Sequence, residues 1–481
     1  MKRPSISYVD ACDDPNLFGP WFSADSWKTW RVIDKAIFGL PMNAKELATF
    51  TELTGRTESP TSPVREAWLT FGRRSGKDVK AASYAVYQAT IGAEIYGYRK
   101  HLIRGERGVV QILAVDRDQA KVAFNYALAF FEQPILARLV KRTSTDTIEL
   151  TNGFALEVTT NDKRRVRGRT VICAIFDELA HWRNENTVSP DDEIYGAIFP
   201  ALATIPNSLL IGISSPYSRR GLLYRKVTEH WGKPGNVLAA RAPTWRMNPT
   251  VAKDGEFLTE AYAKDPVWAA SEFGAEWRTD LEAFVSLDAV KDCIDVGVRE
   301  RPHERKHEYV AFCDPSGGSN DSFTLAVAHT EGKTQILDLI RERKPPFSPE
   351  AVTEEFAKTI RSYRCTKVWG DRYGGEWPRE QFRKHGVNYE PSEKSKSDLY
   401  KELLAPINSG AVALLDSDRL LQQLMSLERR QARGGKDSID HAPGTHDDVA
   451  NAVAGALAIA YKAPGQPSFR QPIVFPKMYV V

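Results

Sequence analysis

The chain has 481 residues, of which 42% are hydrophobic and 26% are charged, so it is long and apolar enough to build two to four globular domains. A formal net charge of only +3 gives no sign of a nucleic-acid binder, so local clusters of charge have to carry any such argument. The five cysteines are far apart and form no CxxC pair, which argues against a disulfide framework or a zinc ribbon and suits a reducing cytoplasm.

The N-terminal half predicts an α/β sheet. Residues 1–65 mix aromatic residues with polar turns and lack the apolar stretch of a signal peptide, so we expect none. From residue 66, short apolar runs alternate with longer amphipathic stretches. We predict strands at 66–72, 108–116, 170–178 and 208–216, and helices at 78–96 and 119–133. This alternation predicts a sheet with helices on both faces.

The C-terminal half predicts a second α/β domain. The stretch VGVRERPHERKHE (296–308) is charged and poor in apolar residues, which is typical of a linker. Strands are then predicted at 308–318, 321–331, 333–343 and 366–374, with a helix at 348–364. No run approaches the ~18 apolar residues of a membrane span, and 449–461 is interpreted as a buried helix. The tail from Ala463 is Pro-rich and is expected to be loosely ordered.

The stretch FGRRSGKDVKAA (71–82) is similar to a phosphate-binding loop. A predicted strand leads in, Gly76 and Lys77 follow, and a predicted helix leads out, so backbone N–H groups, a lysine and a helix dipole would face a phosphate. There are two departures. The first glycine, Gly72, comes one position later than in GxxxxGK[ST], and Asp78 stands where a hydroxyl would hold magnesium. Taken alone, the stretch is equally compatible with a Gly-Lys turn before a helix.

The apolar strand in VICAIFDELAHW (171–182) ends in Asp177 and Glu178. Asp177 would hold magnesium from the strand tip, and Glu178 would polarise the attacking water. The alternative is a solvated acidic turn. A separation of ~100 residues from the loop, with strands and helices between, suits a single P-loop core. The two halves together predict an ATPase.

Two further segments of this half leave alternatives open. NDKRRVRGRT (161–170) packs Lys163, Arg164, Arg165, Arg167 and Arg169 together. It is compatible with a solvated basic turn, with DNA phosphate binding, or with an arginine finger for the transition state. GISSPYSRRG (212–221) follows a strand at the same sheet edge, and it is interpreted equally well as a γ-phosphate sensor or an ordinary Ser-Pro turn.

Acidic residues end three elements of the second domain. Asp314 follows a strand, Asp371 follows another, and Asp447 and Asp448 open an apolar helix. Each has a structural alternative, because aspartate also forms turns and caps helices. Several acids that converge from separate elements are what a two-metal nuclease needs, with Mg²⁺ or Mn²⁺ ions ~4 Å apart. Their order fits a ribonuclease-H-like fold.

A P-loop ATPase followed by a ribonuclease-H-like nuclease resembles the large terminase subunit of tailed bacteriophages, the motor that pumps double-stranded DNA into procapsids and cuts it. The resemblance covers roughly residues 65–465. Its six motifs are, in order, GRRSGKD, VRGRTVICAIFDELA, ISSPYSRRG, CDPSGGSNDSFTLAV, VWGDRYGG and HDDVANAVAGA. The segment 393–415, which begins EKSKSDLYKELL, resembles the family's Lys-Ser segment.

The resemblance implies an α/β chain with an N-terminal P-loop (ASCE-type) ATPase domain and a C-terminal ribonuclease-H-like (RNase H-like) nuclease domain. The implied boundaries are an N-terminal extension at 1–64, the ATPase at 65–285, a linker at 286–306, the nuclease at 307–465 and a flexible tail at 466–481.

The resemblance also implies site residues. The nucleotide-binding residues would be Gly72, Arg73, Arg74, Ser75, Gly76, Lys77, Asp78 and Asp177. Glu178 would be the catalytic carboxylate, and Arg167 would reach a neighbouring subunit's ATP. The nuclease metals would be held by Asp314, Asp371, Asp447 and Asp448, with Asp321 at the second acidic position of the first nuclease motif. Asp78 adds negative charge near the phosphates, so the loop is interpreted as functional but atypical.

The implied cofactors are ATP with Mg²⁺ in the first domain and two Mg²⁺ or Mn²⁺ ions in the second. The implied partners are double-stranded DNA, the portal protein, the small terminase subunit and further copies of the chain in a ring on the procapsid, with no membrane. The expected place is the host cytoplasm, transiently at the portal, and not the mature virion. Two alternatives stay open: a transposase- or resolvase-like nuclease with a decayed ATPase, and a scaffold without either chemistry.

Overall fold

The computed structural model describes residues 6–161, 168–182, 187, 189–319, 321–371, 376–430 and 437–461. The chain divides into two compact units, Met1–Glu282 and Ala283–Val481. Within the described residues, no helix combines the length and the apolar character that crossing a membrane requires.

The first unit begins with four helices, α1 (Tyr8–Asp13), α2 (Gly19–Phe22), α3 (Lys28–Phe38) and α4 (Ala44–Thr54). The elements that follow are β1 (Glu66–Phe71), α5 (Lys77–Ala89), α6 (Ile91–Ile95), β2 (Gly108–Ala114), α7 (Arg117–Phe130), α8 (Pro134–Ala137), β3 (Val140–Thr143), β4 (Thr147–Leu150), β5 (Phe154–Thr160) and β6 (Thr170–Asp177). The unit continues with α9 (Pro190–Leu202), β7 (Leu209–Ser214), α10 (Gly221–His230), β8 (Val237–Ala242), α11 (Thr244–Met247), α12 (Glu256–Lys264) and α13 (Pro266–Glu272), and β9 (Leu281–Ala283) lies at the boundary.

The sheet of the first unit has eight strands in the order β3-β4-β5-β2-β6-β7-β1-β8. The strands from β5 to β8 in this order are parallel, and β3 and β4 are antiparallel additions at one edge. β7 lies between β1 and β6, which is the strand order of ASCE-type P-loop ATPases. Thr70 pairs with Ser214 and Asp177 with Ile213, so the carboxyl ends of β1, β7 and β6 meet at one sheet edge.

The N-terminal helices are part of the core of the first unit. Tyr8 and Phe38 pack against Tyr84 and Tyr87 of α5. The segment predicted as an N-terminal extension therefore packs on the helix that follows the candidate phosphate loop. The Nζ of Lys80 on α5 lies 2.8 Å from Asp34 of α3, and both side chains are buried.

The second unit contains α14 (Leu287–Asp292), β10 (Ile294–Asp295), β11 (Val310–Asp314), β12 (Phe323–Glu331), β13 (Thr334–Arg343), α15 (Pro349–Ser362), β14 (Lys367–Gly370), α16 (Glu376–Lys384) and β15 (Asn388–Pro391). It ends with α17 (Lys396–Asn408), β16 (Val412–Leu415), α18 (Asp418–Ser426), β17 (Leu427–Arg430), β18 (Ser438–His441) and α19 (Asp448–Ala460). The stretch 286–306, which we predicted as a linker, contains α14 and β10, and β10 pairs with β16 of the main sheet. The predicted tail 466–481 lies outside the described residues.

The main sheet of the second unit has the order β10-β16-β13-β12-β11-β14-β15. β11, β12 and β13 form an antiparallel meander, and β14 and β15 run parallel to β11. Counted from β11, the five strands from β13 to β15 have the order 3-2-1-4-5 of an RNase H-like fold. α19 packs on this sheet, and a Cβ at Gly455 would lie 2.3 Å from the Phe312 ring, so the close approach needs glycine.

Candidate nucleotide and nuclease sites

The candidate phosphate loop connects β1 to α5 and needs its glycines. A Cβ on Gly72 would lie 2.5 Å from Thr244 Oγ1 and 2.6 Å from the Phe273 carbonyl oxygen. Gly76 has φ +84°, in the left-handed region that favours glycine. Arg74 also has a positive φ, of 67°. The loop therefore has a strained conformation of the kind that anion-binding loops require.

Distant segments hold the loop in place. Three side chains donate hydrogen bonds to its carbonyl oxygens: Trp30 Nε1 to Ser75 at 2.7 Å, Thr244 Oγ1 to Arg73 at 2.6 Å and Asn248 Nδ2 to Arg74 at 2.9 Å. No pattern in the sequence predicts these three contacts, since Trp30, Thr244 and Asn248 are far from the loop in the chain. Because carbonyl oxygens are bound from outside, the backbone of the loop is fixed without a ligand.

Lys77 and Glu178 form a buried ion pair between the loop and the end of β6. Lys77 Nζ lies 2.9 Å from Glu178 Oε1, and Lys77 is 4% exposed. Burial alone would lower the pKa of Lys77, but Glu178 and the neighbouring aspartates raise it overall. For Glu178 the effect of burial has the opposite sign and would raise the pKa, but Lys77 and His181 lower the pKa overall. Both groups are therefore charged at neutral pH.

Ser214, at the end of β7, donates a hydrogen bond to Glu178 Oε2 at 3.0 Å. Its neighbour Ser215 lies 3.2 Å from His181 Nε2. The segment 212–221, interpreted from sequence as a sensor or a plain turn, thus contacts the predicted catalytic carboxylate directly.

Asp177 and Asp78 lie beside this ion pair. Asp177 is 3% exposed, and its Oδ1 has no hydrogen-bond partner among the described residues. Burial, with Glu178 and Asp78 nearby, raises the pKa of Asp177 well above its ordinary range. Burial also raises the pKa of Asp78, against the effect of Lys77. A buried carboxylate oxygen without a partner fits a divalent cation, which would offset the cost of its charge.

The predicted arginine finger, Arg167, lies outside the described residues, as do Lys163, Arg164 and Arg165. Arg169 is described, and its guanidinium lies 3.5 Å from Glu157 of β5. The three interpretations of this basic stretch therefore stay open.

The predicted nuclease carboxylates line one cleft of about 1000 Å³ in the second unit. Asp314 ends β11, Asp371 directly follows β14, and Asp447 and Asp448 begin α19. Cys313 pairs with Gly370, so the ends of β11 and β14 are adjacent. Asp321, the second acidic position, lines the same cleft. The structure thus brings together every acidic residue that the sequence assigned to this site.

Burial and the neighbouring aspartates raise the pKa values of both Asp314 and Asp448. Burial raises the pKa of Asp314 to about 7, and repulsion from Asp448, Asp371 and Asp447 adds to this rise. A hydrogen bond from Asn451 Nδ2 at 2.8 Å acts in the opposite direction and lowers the pKa. Burial and Asp447 raise the pKa of Asp448 to about 6. Carboxylates that resist ionisation together are the arrangement that a bound divalent cation stabilises.

Asp447 differs from Asp448 because it already has charged and polar partners. Its Oδ2 lies 3.0 Å from Lys396 Nζ and accepts a hydrogen bond from Tyr400 at 2.8 Å. Lys396 also lies 2.9 Å from Asp440. Of the two neighbouring aspartates, Asp448 is therefore the one whose charge is left for a cation to balance.

Four residues that line the cleft or contact its carboxylates were missed as site residues: Lys396, Tyr400, Asp440 and Asn451. Lys396 stood in the quoted Lys-Ser segment without a role, and Asn451 lay in the predicted buried helix 449–461 without a role. Asn451 lies four residues after Asp447, so helical spacing on one face would have found it. Tyr400 is likewise four residues after Lys396. Asp440 had no signal, since its strand is short and isolated in the sequence.

No family model matches the chain, and no curated protein does. Three solved structures illustrate what the structure search found. The HK97 bacteriophage large terminase is 17% identical, with 90% of this chain and 100% of that chain covered at a TM-score of 0.38. The ATPase domain of the Thermus phage P74-26 large terminase is 16% identical, with 51% of this chain and 97% of that chain covered at a TM-score of 0.35.

The third is the large terminase nuclease from thermophilic phage G20c with bound magnesium, 18% identical, with 37% of this chain and 98% of that chain covered at a TM-score of 0.32. At these identities and scores the likeness assigns no residue a role. The chain is similar to solved large terminase structures, namely a large terminase, an ATPase domain and a nuclease domain.

Proposed function

We propose that the second unit hydrolyses phosphodiester bonds of DNA with divalent metal ions. The observation that carries this proposal is the convergence of Asp314, Asp371 and Asp448 from three separate elements on one cleft. These oxygen ligands suit Mg²⁺ or Mn²⁺. When bound there, the ions would lower the pKa of a water and stabilise the leaving oxygen.

The residues around these carboxylates have supporting roles in this proposal. Asn451 orients Asp314 by donating to its Oδ2, and the backbone N–H of Ser322 donates to Asp448 at 3.3 Å. Lys396 balances Asp447 and is available to attract the DNA backbone to the rim of the cleft. No base-reading element is evident in the sequence, so we expect cleavage with little sequence preference.

The first unit is proposed to hydrolyse ATP. The loop N–H groups and Lys77 would bind the phosphates, Asp177 would hold Mg²⁺, and Glu178 would orient the attacking water. A phosphate that takes Lys77 would break its ion pair with Glu178. Glu178 would then keep Ser214 as its partner, which leaves its other oxygen available to a water. Asp78 near the phosphates is expected to weaken ATP binding.

The two activities in one chain suit a viral DNA-packaging motor of the terminase class. In this proposal copies of the chain form a ring on the procapsid portal and translocate double-stranded DNA, with Arg167 of each subunit serving a neighbour's ATP. The small terminase subunit would deliver the DNA. The chain would act in the host cytoplasm, transiently at the portal, and be absent from the mature virion.

A transposase- or resolvase-like nuclease with a decayed ATPase is the second candidate, and Asp78 is the observation that favours it. The buried arrangement of Lys77, Asp177 and Glu178 disfavours it, because a buried ion pair beside a buried carboxyl oxygen that has no hydrogen-bond partner among the described residues is costly to keep without a ligand.

The test compares wild type with Asp371→Ala and Lys77→Ala in plasmid cleavage and in phosphate release from ATP, with Mg²⁺ or Mn²⁺. We expect Asp371→Ala to lose cleavage and keep phosphate release, and Lys77→Ala to do the reverse. Equal cleavage by wild type and Asp371→Ala would refute the nuclease site. Equal phosphate release by wild type and Lys77→Ala would refute the ATPase site.

A further inference from the structure

Two histidines and a glutamate form a cluster in the second unit, well away from the cleft. His329 and Glu331 lie at the end of β12, and His307 lies in the stretch before β11. Thr324 marks the cleft end of β12, because it pairs with Asp314. Glu331 is seven residues further along the strand, which is about 23 Å at the usual rise per residue. The cluster is therefore separate from the proposed nuclease site.

The side chains converge on one carboxylate oxygen. His307 Nε2 lies 2.8 Å from Glu331 Oε1, and His329 Nε2 lies 3.9 Å from the same atom. The two imidazole rings are 4.1 Å apart between centroids. One ligand atom from each of the three residues lies within 4.8 Å of the others. Residues two apart on a strand face the same side, so β12 itself supplies two of the three groups.

Asp338 fixes the orientation of His329. Its Oδ2 lies 2.7 Å from His329 Nδ1, and Asp338 is 1% exposed on the neighbouring strand β13. An ionised carboxylate only accepts, so Nδ1 carries the proton and donates it. In the neutral ring, Nε2 then presents a lone pair toward Glu331. A cation between them would relieve the repulsion between that lone pair and the carboxylate.

We propose that His307, His329 and Glu331 bind one Zn²⁺ ion that ties the stretch before β11 to the β12–β13 hairpin. Two imidazole nitrogens and a carboxylate are a common zinc set, whereas Mg²⁺ prefers oxygen ligands alone. A carboxylate that holds the far nitrogen of a ligating histidine is a recurrent companion of such sites. Lys306 Nζ lies 3.8 Å from Glu331, and its exposed side chain can move aside at little cost.

The rival explanation is that a proton, and not a metal ion, lies between the histidines and Glu331, so that His307 and His329 are simple ion-pair partners of Glu331. Binding of Co²⁺ distinguishes a metal site from such an ion pair. The full-length chain is stripped with chelator and titrated with Co²⁺, which gives visible absorption when bound by four ligands that include nitrogen. We expect one such equivalent per chain, displaced by one equivalent of Zn²⁺. Absence of this band in wild type would overturn the proposal.

Variants locate the ion. Glu331→Gln changes a half-exposed side chain with little risk to folding, and it should weaken Co²⁺ binding at least tenfold. His307→Asn should lose the band, whereas His303→Asn, which removes a nearby histidine outside the cluster, should keep it. His441→Asn serves as the control for the Asp440–His441–Asp447 group in the cleft. A band lost in His441→Asn and kept in Glu331→Gln and His307→Asn would place the ion elsewhere and refute the proposal.

Asp338→Asn tests the positioning role. It should weaken Co²⁺ binding by about 10–100-fold, the usual effect of losing such a partner. Zn²⁺ should also raise the Tm of wild type more than that of Glu331→Gln, because binding to the folded state alone stabilises it and the variant keeps only the cleft aspartates. Equal rises in both proteins would contradict a site that includes Glu331.

Discussion

Asp314→Asn should stabilise the metal-free chain, and more so at high pH. The pKa of Asp314 is raised to about 7 in the folded protein. An aspartate in the unfolded chain has a pKa of about 3.9. The folded state therefore binds more protons between these values, so this group lowers stability as pH rises from about 4 to about 7, and the full cost is present above that window.

The cost follows from these two pKa values. It is about 4 kcal/mol at pH 8 and about 1.5 kcal/mol at pH 5, as upper limits because Asp448 shares the same charge repulsion. Asparagine keeps the shape and can still accept from Asn451. We expect Asp314→Asn to exceed wild type by about 2–4 kcal/mol at pH 8 and by about 1 kcal/mol at pH 5.

The assay is urea unfolding of both proteins in chelator at each pH, with exposed Asp292→Asn as the matched control. Saturating Mg²⁺ should shrink the difference at pH 8, since binding stabilises wild type. An equal difference at pH 5 and pH 8, or a less stable Asp314→Asn protein at pH 8, would show that a buried charge on Asp314 does not destabilise the fold.

Three further predictions concern single side chains. Glu178→Gln should abolish ATP hydrolysis and leave binding of a fluorescent ATP analogue intact or tighter, because the loop lysine loses a competitor; unchanged phosphate release would contradict this. Asp78→Thr should tighten Mg-ATP binding several-fold in the same titration, since it removes negative charge beside the phosphates; weaker binding would instead make Asp78 a useful ligand. Gly455→Ala should lower the free energy of unfolding by about 1–2 kcal/mol, because the new methyl would overlap the Phe312 ring. Gly196→Ala, a helical glycine with open space, is the control, and it should be neutral or stabilising.

The buried strands were the part of the fold most open to prediction. The runs at 66–72 and 170–178 became β1 and β6 to within one residue, because continuous apolar runs bounded by glycine or acids are typical of buried strands. Of the strand predicted at 366–374, β14 covers Lys367–Gly370, and residues 372–374 lie outside the described part of the chain. The helix predicted at 78–96 is interrupted instead. It ends at Ala89, and Thr90 leaves the helical region with φ −116° and ψ −91° before a short helix resumes.

The N-terminal helices had signals that we did not use. Asn43 and Glu46 form a capping box at the start of α4, a pattern visible in the sequence. What the sequence could not give is their place in the core beside the phosphate loop, since that depends on tertiary packing. Trp30 reaches Ser75 across 45 positions, and no local pattern predicts such a contact.

The residue types of the candidate nuclease site and their positions at the ends of elements could be predicted from the sequence. The electrostatic environment of each aspartate could not. All four nuclease aspartates were assigned from sequence, Asp314 and Asp371 because they follow apolar strands and Asp447 and Asp448 because they open an apolar helix. The distinction between Asp447 and Asp448 needed Lys396 and Tyr400, which approach from a helix about 50 residues earlier. Adjacent residues of one type cannot be ranked until their neighbours are known.

The position of Mn²⁺ in crystals of the full-length chain, measured by anomalous scattering, tests the proposed nuclease site directly. We expect two peaks about 4 Å apart among Asp314, Asp371 and Asp448. Peaks confined to the Asp440–His441–Asp447 group, or none in the cleft at saturating Mn²⁺, would contradict the proposed nuclease site.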